Sequence, residues 1–320
     1  MVKYRAVLVG LGNIAWKLGR DGRSGASLSH AAALQLNPQT DLVGGYSDTQ
    51  ADRGEFTTVF DVPAFSCLES MLDSLKPDIV SICSPTEFHF QQTEICLQKL
   101  VPMLWLEKPP AQSARQCLLL EELRERSSSN LKVLVNFQRR YTESYYNLKK
   151  LLEDGSYGKV LLGEVTYSRG LVTNGSHMLD MIFFLFGENG YNVEWMDKKD
   201  DMGNPSFILR YDNNILINVK GINADYHCID VSVTCEKARL SVLHGGMTPK
   251  VEEVIEHELF PGYYRLKEIA SDALGAGGFS FAFDKALADL IDAYEQDRPP
   301  GSNLATAYKS MRLLEQVGAK

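Results

Sequence analysis

Tyr4-Arg5-Ala6-Val7-Leu8-Val9-Gly10-Leu11-Gly12-Asn13-Ile14-Ala15 is an apolar run that ends in a glycine turn. Such a run suits a strand buried on both faces of a parallel sheet. The turn has the form G-x-G-x-x-A: its first glycine permits a tight bend, and its second lets a pyrophosphate approach the backbone. The small third residue lets the next helix pack closely. Free N–H groups at the start of that helix, around Asn13 and Ile14, then face the phosphates. The same residues also make a plain turn with no ligand, so the position directly after the first strand carries the argument.

A second strand, Asp41 to Tyr46, ends at Ser47-Asp48. An acid at this strand tip is the usual partner of the ribose hydroxyls of NAD. Asp48 lies further from the glycines than the usual spacing of about 20 residues, because a polar insertion with Lys17, Arg20 and Arg23 intervenes before the helix-like Ser29–Leu34. NAD is the expected cofactor. NADP stays open, since Arg53, Arg20 or Arg23 is available for a 2′-phosphate. The insertion reads as a solvated basic loop, or as a loop reaching an anionic ligand group.

Strands and helices then alternate. A helix at Leu68–Leu75 precedes the strand Ile79–Cys83, whose end is Ser84-Pro85-Thr86, with His89 three residues on. That turn offers polar groups to a ligand or simply caps a helix. His89 alone reads as a structural histidine. The run Leu104-Trp105-Leu106 stops abruptly at Glu107-Lys108-Pro109-Pro110. Neither proline has an N–H, and each pushes its predecessor toward extended geometry, so Lys108 stands on a stiff strand exit. A helix near Ser113–Arg126 and the strand Leu131–Asn136 follow. Alternation of this kind implies a parallel sheet with right-handed crossovers.

The chain has 320 residues, 44% hydrophobic and 23% charged, which suits a folded chain of about two domains. No apolar run reaches the roughly 18 residues of a membrane span. Met1–Arg5 leads straight into a strand without a secretory pattern. Six cysteines without a C-x-x-C pair read as reduced thiols, not as a disulfide frame or a metal site. The expected location is therefore cytoplasmic, and a net charge of −8 argues against nucleic acid as a partner.

In the second half a strand from Val160 to Ser168 enters Arg169–His177, and an apolar helix runs from Ser176 to Phe186, stopping at Gly187. Strands follow at Phe207–Tyr211, Ile215–Gly221, His227–Cys235 and Ala238–Leu243, a pattern for a largely antiparallel sheet covered on one face. Helical periodicity returns at Phe281–Tyr294 and at Leu304–Val317. The stripe Leu304, Ala307, Met311, Leu314 of the last helix is expected to pack back on the first domain.

In order along the chain, Gly10–Ala15, Asp48, Ser84-Pro85-Thr86 with His89, Glu107-Lys108-Pro109, Asn136-Phe137-Gln138-Arg139-Arg140 and Gly175-Ser176-His177-Met178-Leu179-Asp180 resemble the Gfo/Idh/MocA family of NAD(P)-dependent oxidoreductases. The resemblance implies an α/β architecture. A Rossmann doubly wound parallel sheet spans 1–135, and an α+β domain with a large, mostly antiparallel sheet spans 136–320 for substrate binding and oligomer contacts. It implies hydride transfer between nicotinamide and a secondary alcohol carbon of a sugar, nucleotide sugar or cyclic polyol, by a homo-oligomer (dimer or tetramer). It further implies that Gly10, Gly12, Asn13, Ile14, Asp48, Ser84, Pro85, His89, Glu107, Lys108 and Arg139 contact the cofactor. Lys108 positions substrate and moves protons, beside a Lys-Pro peptide that is often cis in the family. His177, otherwise a core or cap histidine, becomes the acid/base, with Asn174 on a substrate hydroxyl. Histidine suits proton exchange near neutral pH.

One departure matters. Many members carry an aspartate four residues before that histidine, where this chain has Thr173. Two other family behaviours therefore stay in play: redox-assisted glycoside cleavage or elimination with retained NAD, and dinucleotide binding as a sensor without turnover.

Overall fold

The computed structural model describes residues 3–19, 27–127, 130–197 and 203–318. In β1 (Tyr4–Val9) the last four side chains are fully buried, as a central parallel strand requires. The chain continues through α1 (His30–Leu36), β2 (Thr40–Tyr46), α2 (Gln50–Phe60), β3 (Ala64–Phe65) and α3 (Leu68–Leu75). It then runs through β4 (Ile79–Ile82), α4 (Thr86–Gln98), β5 (Met103–Leu106), α5 (Ala114–Ser127) and β6 (Lys132–Val135). These six strands form a parallel sheet in the order β3-β2-β1-β4-β5-β6. The order reverses between β1 and β4. Open α/β sheets hold ligands outside the strand ends at such a switch point.

The second unit begins with α6 (Glu143–Glu153), β7 (Val160–Tyr167), α7 (Ser176–Phe186), β8 (Tyr191–Met196) and β9 (Phe207–Tyr211). It goes on through β10 (Leu216–Gly221), β11 (Ile229–Cys235), β12 (Ala238–Leu243), β13 (Thr248–Glu256) and β14 (Tyr264–Ile269). The sheet order is β14-β13-β12-β11-β7-β10-β9-β8, antiparallel throughout except for the β7–β10 pair. Side chains along β11 alternate between buried and half-buried. One face packs Val165, Tyr167, Val219, Val231 and Val233 against Met178, Ile182 and Tyr145 of α7 and α6. Beyond the expected strands, β8, β13 and β14 extend both edges of this sheet. Gly187, at φ +93°, ends α7.

Two helices close the chain, α8 (Ala282–Glu295) and α9 (Leu304–Gly318). The chain divides into residues 1–138 with 280–309, and residues 139–279 with 310–320. Helical periodicity alone groups α8 with the second half; its apolar face instead packs on α1, β5 and β6. Phe283 supplies part of that contact, with its ring 5.9 Å from Trp105. Before α9, Ser302 pairs with Val135 in both directions, its carbonyl accepting the Val135 N–H at 3.0 Å and its hydroxyl donating to the Val135 carbonyl at 2.7 Å. Asn303 adds a bridge to Leu134, so the outer edge of β6 is covered. Along α9, Leu304 and Ala307 are buried in the first unit, and Leu313 and Val317 join the core of the second.

Candidate active site

The first unit gathers its polar groups at the carboxyl ends of β1, β2, β4 and β5. Gly10 has φ +82°, and a Cβ there would lie 2.6 Å from the Ser84 Cα, so the ends of β1 and β4 meet only because residue 10 lacks a side chain. At Gly12 a Cβ would meet nothing within 4 Å. The backbone there is open to an approaching group, the cradle a pyrophosphate needs. Asn13 and Ile14 begin a five-residue π-helical turn, Asn13–Lys17. Among the described residues the next helix is α1, where Ser29 accepts the Ala32 N–H. The glycine turn therefore leads into a tight local turn that ends at Leu18. Trp16 anchors it by donating to the Leu11 carbonyl at 2.9 Å.

At the tip of β2, Asp48 is exposed and accepts a hydrogen bond from the Tyr46 hydroxyl. Arg53 folds back on the same tip and donates to the carbonyls of Ser47 (2.6 Å) and Asp48 (2.9 Å). Lys17 is engaged by Asp52 and Glu55 at 3.0 and 2.9 Å, which leaves it little to offer a ligand anion. Arg20 and Arg23 lie outside the described residues.

Ser84 does not cap α4; its hydroxyl donates to Gln92 Oε1. His89, buried, joins two strand tips, with Nε2 2.7 Å from the Ser84 carbonyl and Nδ1 2.7 Å from the Pro109 carbonyl. Carbonyls only accept, so a ring nitrogen carrying hydrogen is the donor in each such bond. The Lys108–Pro109 peptide is cis. Glu107 points inward: Oε1 meets His30 Nε2 at 2.9 Å and the Asn136 amide at 2.5 Å, while Oε2 accepts the Lys108 backbone N–H at 3.2 Å. Burial alone would push this carboxyl up, but the His30 hydrogen bond and charge, Asn136 and Lys108 together hold it below the usual carboxylate range. Both of its oxygens are thus given to protein groups.

His30 and Ser81 have no place in the sequence reading. His30 looked like an ordinary helix start, and Ser81 like a small residue in an apolar strand. The one available signal was a hydroxyl in the middle of Ile79-Val80-Ser81-Ile82, since a buried polar side chain needs a partner.

In the second unit, Gly170 at φ +89° starts a π-helical turn, Leu171–Gly175, that runs directly into α7. Thr173 and Asn174 lie on this turn, and buried His177 sits in the first turn of α7. The Asn174 side chain, also buried, contacts His227 Nδ1 at 3.2 Å, a partner that chain order does not reveal. Arg139 belongs to this unit too. It donates to the Gly245 carbonyl at 2.9 Å, its guanidinium lies 4.9 Å from the Phe279 ring, and its buried Nε has no hydrogen-bond partner among the described residues. Burial lowers its proton affinity. Its neighbour Arg140 is held differently, in a bidentate ion pair of two 2.8 Å bonds to Asp180.

The first unit therefore assembles Gly10 with Ser84, Ser84 with His89 and Pro109, and Glu107 with Lys108. The second assembles Asn174 with His227. Among the described residues no helix is long and apolar enough to cross a membrane.

Residues 4–137 match the model of an oxidoreductase family with an NAD-binding Rossmann fold, Gfo/Idh/MocA. An inositol 2-dehydrogenase of Saccharopolyspora erythraea is 28% identical over 175 residues, 49% of this chain and 51% of that protein. A D-glucoside 3-dehydrogenase of Escherichia coli is 25% identical over 209 residues, 57% of this chain and 54% of that protein. The chain thus spans about half the length of the curated relatives it matches. A 3-ketoreductase from Actinomadura kijaniata, solved with NADP and TDP-benzene, superimposes with a TM-score of 0.76 at 14% identity. That likeness covers 98% of this chain and 97% of that one, and at this identity it speaks for the fold alone.

Proposed function

We propose that this chain, whose residues 4–137 match the Gfo/Idh/MocA oxidoreductase family with an NAD-binding Rossmann fold, transfers a hydride between nicotinamide and a secondary alcohol carbon of a cyclic polyol or sugar. The observation that carries the reading is the meeting of three strand ends in the first unit, where Gly10, Ser84 and the His89-clamped Lys108–Pro109 step converge. Inositol and glucoside dehydrogenases among the relatives support the substrate class.

In this proposal the backbone of Gly10, Gly12, Asn13 and Ile14 receives the pyrophosphate, and Asp48 receives the adenosine ribose. NAD is the expected cofactor, and Arg53, fixed on the same strand tip, keeps NADP open. Ser84, Pro85, His89 and Glu107 shape the nicotinamide side, and Arg139 completes the cofactor contacts. Bound nicotinamide supplies the hydride acceptor or donor. Lys108 polarises the substrate oxygen, while His177 takes the hydroxyl proton as the carbon loses hydride and becomes a carbonyl. Asn174 hydrogen-bonds a neighbouring hydroxyl. A substrate and oligomer role for the second unit, a homo-oligomer and a cytoplasmic setting belong to the same proposal.

The test is a thermal-shift screen with NAD and NADP, since a ligand of the native state raises its stability. Rates of NADH formation with inositols, glucosides and nucleotide sugars follow. A cofactor-dependent shift with NADH formation on at least one polyol is expected. A shift with no turnover across the panel would remove the dehydrogenase reading. Retained NAD with glycoside cleavage would then point to redox-assisted chemistry, and NAD binding with a protein partner to a sensor. Thr173, where many members have an acid, favours keeping those arms in the experiment.

A further inference from the structure

His30 is fully buried, with its ring 4.0 Å from Trp105 and 5.2 Å from Phe283. Its Nδ1 lies 2.5 Å from the Ser81 hydroxyl on β4, and its Nε2 lies 2.9 Å from Glu107 at the end of β5. Asn136, at the end of β6, donates to the same carboxylate oxygen and accepts from the Trp105 indole at 3.2 Å. The chain Ser81–His30–Glu107–Asn136 thus ties together three adjacent strands, β4, β5 and β6, next to Lys108. A strand end could be held by apolar packing at no electrostatic cost, whereas a buried carboxylate costs several kcal/mol unless it is paired. What this carboxylate delivers is its second oxygen, bound to the Lys108 N–H. On the other side of Lys108, His89 holds the Pro109 carbonyl.

We propose that His30 is a positioning residue for Lys108: through Glu107 it fixes the backbone from which the lysine side chain departs. The inference rests on the role given to Lys108 above. Two features make His30 the part that decides. The Ser81 hydroxyl donates to or accepts from Nδ1, so the ring stays satisfied in either charge state while Nε2–H stays on Glu107. In addition, the groups facing the Glu107 carboxyl are His30, Asn136, Lys108 and the Cys83 thiol. The first three favour its charged form, whereas the acid–base pull of Cys83 is on the thiol, which burial and Glu107 push up.

The test compares His30→Leu with His30→Gln, which keeps a donor amide toward Glu107. One readout needs no substrate: hydrogen exchange of the Lys108 amide, expected to quicken by about tenfold in His30→Leu, the worth of one hydrogen bond. The other is turnover. In His30→Leu, kcat is expected to fall about 10- to 100-fold, as a small misplacement does, with the KM for NAD within about twofold. The acid limb of kcat/KM is expected to move to higher pH, because burial then raises the Glu107 carboxyl against Asn136 and Lys108 alone. His30→Gln recovers most of each loss. Unchanged exchange and kcat in His30→Leu, or equal losses in both variants, overturns the proposal. If His30→Leu does not fold, Glu107→Gln takes its place, and an unchanged Lys108 amide there overturns it as well. Wild-type protein that turns over no polyol refutes the hydride-transfer reading, while the exchange measurement still decides whether the pin exists.

Discussion

The two sheets place polar chemistry by different rules. In the parallel sheet Gly10, Asp48, Ser84, Glu107 and Lys108 stand just past the carboxyl ends of strands, each at a break between an apolar run and a turn, while His89 and His30 reach in from α4 and α1. In the antiparallel sheet the polar groups meet through pairings of segments distant in sequence. Asn174 reaches His227 across 53 positions, and Arg139 reaches Gly245 across 106. The first arrangement concentrates function where the backbone must change direction. The second distributes it over loops that only sheet register brings together.

If the chemistry is shared between the units as proposed, Lys108→Ala and His177→Ala should each cut turnover by about 10²–10⁴-fold, the range of a lost acid/base group. Thermal shifts with NAD should survive in both. A large loss in one variant and none in the other would break the comparison by assigning the chemistry to one unit. Asp180→Ala tests the second unit as a scaffold. Arg140 would be left buried without its carboxylate, a loss of about 3–5 kcal/mol in urea unfolding. A loss below about 1 kcal/mol would show the pair to be a surface-like ornament. Gly10→Ala forces a left-handed backbone and a 2.6 Å contact on the Ser84 main chain. A cost of about 1–3 kcal/mol is expected, with NAD affinity lost. Gly12→Ala meets open space, and its melting temperature should stay within a degree or so of wild type while the Kd for NAD rises. The smallest effect is expected at the β2 tip. Arg53→Ala should lower the preference for NADP relative to NAD by about tenfold, as expected for one charge-assisted contact. An unchanged ratio of Kd values would remove Arg53 from cofactor choice.

The same contrast explains what the sequence discloses. β1, β4, β5 and β6 are largely buried and appear as mostly apolar runs, with only Arg5, Ser81 and Lys132 interrupting them, so the first sheet is visible as a string of strands and turns. The central strands of the second sheet alternate and are visible too. β8, β13 and β14 are not: Tyr191–Met196 is mostly exposed, and Thr248–Glu256 carries three glutamates and a lysine among its nine residues. Edge strands such as β8 and β14, and the charge-rich β13 beside one of them, lie half in water and show no clear alternation to read. Within the site, Lys108 and Glu107 are legible because prolines and charges stop a strand. His30 is not, because its partners come from two other strands and nothing local distinguishes it from a helix start. The π-helical turn at Asn13–Lys17 is likewise beyond a glycine pattern, which announces a helix without its length.

The edge of β6 carries a consequence for synthesis. Its covering segment, Ser302-Asn303, and the Phe283 wall beside His30 are made only after residues 139–279. At about 5–20 residues per second on the ribosome, the first unit waits roughly ten to thirty seconds with an open strand edge and one side of its histidine pocket unroofed. The stretch that matches the family, residues 4–137, is therefore an incomplete folding unit. Expressed alone, it is expected to associate through that edge, whereas a permuted chain that joins 280–309 directly to 138 should stay soluble.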